Sequence, residues 1–122
     1  MCKFSQEDLR RFNERLMNAL QNDECRKYFT EFINKQLLKY RRAFKIWTIV
    51  YDSKSEEPHI NVLENMELKE LMDACSYLDG NECVEEIETK SVEYLNKLHR
   101  KFMKFIKTKN NTLQSNCSTS SQ

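Results

Sequence analysis

Residues 22–36, NDECRKYFTEFINKQ, place Cys25, Phe29 and Ile33 at intervals of four, with Phe32 beside them. That spacing puts the apolar side chains on one face of a helix and leaves the charged residues on the other. Asn22 and Asp23 stand where a helix needs side-chain acceptors for its first backbone N–H groups. On the N-terminal side, Ser5 with Asp8 makes a capping box, and Leu9, Phe12, Leu16 and Leu20 continue at steps of three and four. On the C-terminal side the stripe runs on through Leu37, Tyr40, Phe44 and Trp47. This is too long for an ordinary globular helix, so a break is expected between about residues 35 and 40.

IWTIVY (46–51) is β-branched and aromatic, a composition that suits a strand. With no second strand to pair with, it reads as the end of a buried helix. DSKSEEPH (52–59) is the main loop, ending at Pro58. A third helix is expected over about residues 62–78, with Leu63, Met66, Leu71 and Cys75 inward and Leu68 or Met72 widening that face. After the turn LDGNE, a last helix over about 83–107 points Val84, Ile87, Leu95, Leu98, Phe102, Phe105 and Ile106 inward. Phe29, Phe32 and Trp47 are expected in one core. The fold class that follows is all-α, a single-domain bundle of four to six helices over residues 1–107. Residues 108–122, TKNNTLQSNCSTSSQ, read as a flexible polar tail.

Composition narrows the chemistry. One Gly and one Pro disfavour sandwiches and barrels, and a lone Gly80 excludes glycine-rich phosphate loops. No stretch approaches the roughly 18 apolar residues of a membrane span, and MCKFSQEDLRR (1–11) lacks the apolar run of a signal peptide. Five cysteines without paired spacing suit free thiols, and the expected location is cytoplasmic. Residues 1–51 carry 11 Lys/Arg against 6 Asp/Glu, residues 52–88 carry 2 against 12, and residues 89–122 carry 7 against 1. Such alternation serves either helices that complement one another or a charged face that docks a partner.

No catalytic or cofactor site is expected. Cys75 and Cys83 have no CxxC or HxxxH neighbour, and His59 and His99 are the only imidazoles, so no zinc set forms. YLDGNECVEEIE (77–88) has the outline of a calcium loop, but Tyr77 replaces its first carboxylate and Glu82 its turn glycine. Cys83 and His99 are sixteen residues apart on the expected last helix and cannot meet as a nucleophile–base pair. The acidic residues 82–88 read as a solvated helix face. KYRRAFK (39–45) and HRKFMKFIKTK (99–109) interleave basic and aromatic residues, as phosphate-binding surfaces do. Their aromatics fall on the apolar stripes, however, and the acidic middle opposes both nucleic acid and an anionic membrane surface.

LMNALQNDECRKYFTEFINKQ (16–36) resembles the early part of the regulator-of-G-protein-signalling (RGS) family, with its leucine pair, polar turn and Phe-x-x-Phe. Trp47, HINVL (59–63) and RKFMKFIKT (100–108) follow in the matching order. The resemblance implies an interaction domain for a G-protein α subunit, with no cofactor. Glu56, Glu57, His59 and Asn61 are then the partner-binding candidates, Asn61 corresponding to the family's second asparagine. The family's first asparagine, set in an acidic context before a Phe-Trp pair, has no counterpart in the basic KYRRAFKIW (39–47). Its loss implies binding without strong GTPase acceleration, because bracing the switch loops is how such domains act. NECVEEIETKSVEYLNKLHRKFMKFIKTKNNT (81–112) is also similar to the last helix of short-chain four-helix cytokines of the interleukin-2/interleukin-15 group. That alternative implies a secreted ligand of a cell-surface receptor, with glycosylation at NNT and NCS and a disulfide at Cys83.

Overall fold

The computed structural model describes residues 4–53 and 62–120. Every regular element among them is helical: α1 Gln6–Glu14, α2 Leu16–Gln21, α3 Asp23–Ile33, α4 Leu38–Ser53, α5 Met66–Asp73, α6 Val84–Leu95 and α7 His99–Ser120. Short 3-10 turns cover Val62–Glu64 and Asn96–Leu98. The all-α class is therefore what the protein adopts. IWTIVY lies within α4, and the expected break falls at residues 34–37.

The helices form two compact units. One joins the segment ending at Lys35 to the segment starting at Leu98, and the other spans Gln36–Lys97. In the first unit, Ser5 opens α1 by accepting from the Asp8 N–H at 3.0 Å, while Asp8 accepts from the Ser5 N–H at 3.3 Å. α1 ends at Glu14 because Arg15 is extended, and the Arg11 carbonyl there accepts from the Arg15 N–H at 3.4 Å and from the Asn18 side-chain amide at 2.8 Å. Asn22 caps α3 through the Cys25 N–H at 2.9 Å. Phe29, fully buried, meets the Phe102 ring edge-on at 4.8 Å, and Phe32 lies 5.5 Å from both Phe102 and Phe105. His99 Nε2 donates to the Phe12 carbonyl at 2.8 Å, tying the start of α7 to α1.

α7 runs beyond the expected boundary at residue 107. Asn110 is buried, and its side-chain amide grips the backbone of Phe4 on both sides. Oδ1 accepts from the Phe4 N–H at 3.1 Å, and Nδ2 donates to the Phe4 carbonyl at 3.2 Å. Phe4 itself is buried edge-on against Phe12 and Tyr28. The expected tail thus contains a structural residue, because an amide can satisfy both backbone groups of a buried extended residue.

In the second unit, Ile46 and Val50 of α4 pack with Leu68 of α5, Cys75 and Ile87 of α6. Trp47 is buried between Phe44 and Tyr51. Phe29, Phe32 and Trp47 are all buried, as expected, but the aromatic pair belongs to the first unit and Trp47 to the second. The third helix is shorter than expected. Asn65 caps it through the Leu68 N–H at 2.9 Å, and it ends at Asp73. That cap sets the helical phase so that Leu68 is fully buried, while Met66, at the first position, is 69% exposed.

Candidate functional site

Glu56, Glu57, His59 and Asn61, the partner-binding candidates, lie outside the described residues. The described chain resumes at the 3-10 turn Val62–Glu64, and Leu63 lines a groove of about 370 Å³ in the second unit. Met72, Cys75 and Leu78 supply the rest of its apolar lining, while Lys69, Asp73, Asp79 and Glu82 supply charge. Two elements position these groups. The capped helix α5 presents Lys69, Met72 and Asp73, and the loop between α5 and α6 presents Leu78 to Glu82.

That loop is shaped around Glu82. Its carboxylate is almost wholly buried and accepts from the Asp79 N–H at 2.9 Å, the Gly80 N–H at 3.0 Å and the Lys90 ammonium at 2.7 Å. Gly80 takes φ +96°, in the left-handed region that a residue without Cβ enters at no steric cost. Asp79 Oδ1 accepts from the Asn81 N–H at 2.9 Å, completing a tight turn. The Lys90 ammonium, helped by the Asp79 N–H, holds the Glu82 carboxyl down at about 2, so it is ionised at any physiological pH. Residues 82–88 are expected on a solvated face, but Glu82 departs from this and is buried. Two backbone donors and a lysine two helical turns onward draw it inward. The signal available in the sequence was the pair Gly80 and Lys90 around an otherwise unremarkable DGNE.

The remaining chemistry-bearing residues have separate duties. Tyr77 shares a hydrogen bond of 2.7 Å with Ser91, and burial pushes its phenol up. Burial also drives the Cys25 thiol up to about 12 and raises that of Cys75, which makes both poor nucleophiles. Cys83 is an exposed free thiol just before α6. No group of three or more His, Cys, Asp or Glu side chains is arranged to hold a metal ion among the described residues. On α7, Lys109 is half-buried and pairs with Glu31 at 3.1 Å. Arg100, Lys101, Lys104 and Lys107 point to solvent, whereas Phe102 is buried and Phe105 half-buried.

The groove offers an apolar floor for a short side chain and the Asp73 and Asp79 carboxylates, both on exposed residues, for a cation. No family model, curated protein or solved structure matches this chain.

Proposed function

We propose that this protein is an intracellular protein–protein interaction module with an RGS-like cast, binding a signalling partner without strong GTPase-activating activity. The observation that carries the reading is the groove beside the Val62–Glu64 turn, which follows Asn61 directly in sequence. Its apolar floor and the Asp73 and Asp79 carboxylates suit a partner loop that offers an apolar residue next to Arg or Lys. An activated G-protein α subunit is the partner the resemblance implies. Acceleration of hydrolysis is not part of the proposal. Residues 39–48 of α4 contain no Asn or Gln, Lys45 is engaged with Glu67 at 2.9 Å, and Ile46 and Trp47 are buried. No amide there is available to brace a switch loop.

Binding titrations and single-turnover GTP hydrolysis with excess purified domain test both halves. The expected outcome is weak association with an activated α subunit, lost in Asp73→Lys, with turnover unchanged. Acceleration of about tenfold or more would overturn the loss of the brace. Absence of binding to any nucleotide state, at up to about 10⁻⁴ M, would remove the G-protein reading. Cys83 separates this reading from the secreted cytokine: a disulfide at Cys83 in native protein would favour the latter.

A further inference from the structure

The acidic middle of the chain opposes an anionic surface in composition, but the second unit keeps its charges apart. Residues 36–51 contain four Lys/Arg and no Asp or Glu. Lys39 and Arg41, in the first turn of α4, are exposed. Tyr40 meets Tyr94 near the end of α6 at 5.3 Å between ring centroids, so the start of α4 lies beside the end of α6. There the Lys97 ammonium sits 4.5 Å from the Tyr94 ring centre, and Lys39 sits 5.3 Å from that of Tyr40. The carboxylates of Glu85 and Glu86 belong to the opposite end of α6, eight residues and roughly 12 Å along the axis from Tyr94. That exceeds a Debye length of about 8 Å at physiological salt, so this end of the unit presents a cationic surface. Glu93 is the one acidic residue in the last turn of α6.

The same end carries the least explained apolar exposure. Leu37 is 65% exposed and Leu38 48% exposed. Leu37 also stands at the cap position of α4, since its carbonyl accepts from the Tyr40 and Arg41 N–H groups. A leucine there forgoes the side-chain acceptor that Ser5, Asn22 and Asn65 provide for the other helices. A leucine pair set beside two half-buried tyrosines and flanked by long-stemmed cations matches a bilayer interface. Leucine enters the acyl boundary, tyrosine sits at headgroup level, and lysine or arginine reaches the lipid phosphates.

We infer that this end of the second unit, formed by Leu37, Leu38, Lys39, Tyr40, Arg41 and Lys97, docks on an anionic lipid bilayer. The inference is independent of the groove. Nucleic acid fits less well, because Tyr94 already stacks on Tyr77 and Tyr40 lies tilted against Tyr94, so neither ring is an open platform for bases.

Co-sedimentation with vesicles containing about 30% phosphatidylserine, set against phosphatidylcholine alone, tests it. Binding should require the anionic lipid and fall as salt rises. Lys39→Ala with Arg41→Ala should lower partitioning about 25-fold, each cation being worth roughly fivefold. Leu37→Ser with Leu38→Ser should lower it about tenfold, and Leu37→Ser alone should act in the same direction. Lys101→Ala with Lys104→Ala on α7 should lose less than either pair. Circular dichroism of each variant should match the parent, since all the altered side chains are exposed. Equal binding to neutral vesicles, or a greater loss from the α7 pair, would overturn the inference. So would tighter binding to an oligonucleotide than to vesicles, or a dimer in sedimentation velocity that Leu37→Ser dissolves.

Discussion

Asn110→Ala isolates the contact that ties the two ends of the first unit together. The substitution removes two hydrogen bonds and leaves the Phe4 N–H and carbonyl without partners, in a residue that is only 4% exposed. If Phe4 stays in place, two orphaned buried groups cost about 4 kcal/mol in total. If Phe4 instead peels away, the loss is the burial of one phenylalanine and its edge-on contacts with Phe12 and Tyr28, about 3 kcal/mol. The cheaper route governs, so the expected destabilisation is about 3 kcal/mol. At an m-value near 1.5 kcal/mol/M, urea unfolding should move its midpoint down by about 2 M. Amide exchange at Leu9, whose N–H bonds the Ser5 carbonyl at 3.0 Å, should quicken if the peeling route is taken. Chain truncation supplies the control. Ending the protein after Asn111 keeps the clamp and should leave stability close to the parent, whereas ending it after Lys109 should reproduce Asn110→Ala. A loss below about 0.5 kcal/mol in both Asn110→Ala and the shorter truncation would refute the reasoning, showing that water replaces the amide at no cost.

Phe32→Ala should cost about 3–5 kcal/mol by urea unfolding, since the ring is buried against Phe29, Phe102 and Phe105; a loss under about 1 kcal/mol would mean the cluster refills without penalty. The Glu82 latch should respond to acid. Its carboxyl is depressed from 4.5 to about 2, so its contribution is complete above about pH 4.5 and is lost as pH falls through about 2. Glu82→Gln should remove that acid-dependent component, measured as thermal midpoint against pH, and an unchanged profile would show that other carboxylates carry it.

The features legible in the sequence are those whose physics is local. Ser5 with Asp8 and Asn22 with Cys25 cap helices across three residues, so the starts of α1 and α3 could be read directly. Steps of three and four placed Phe12, Phe29, Phe32, Ile87 and Phe102 inward, because one face of a helix must meet the core whatever lies opposite. Only the tertiary structure could decide which residues answer to distant partners. Asn110 looks like tail composition until it meets Phe4, 106 residues away, and Glu82 looks like one more surface acid until the Asp79 and Gly80 amides turn toward it. Met66 and Leu68 are both apolar, and the phase set by the Asn65 cap leaves one exposed and the other buried. Charge followed the same rule. Composition along the chain showed basic and acidic blocks, but antiparallel packing of α4 and α6 gathers Lys39, Arg41 and Lys97 at one end of the second unit. A side chain's local preference is set by its neighbours in sequence, whereas its burial and its field depend on groups that the fold alone brings within reach.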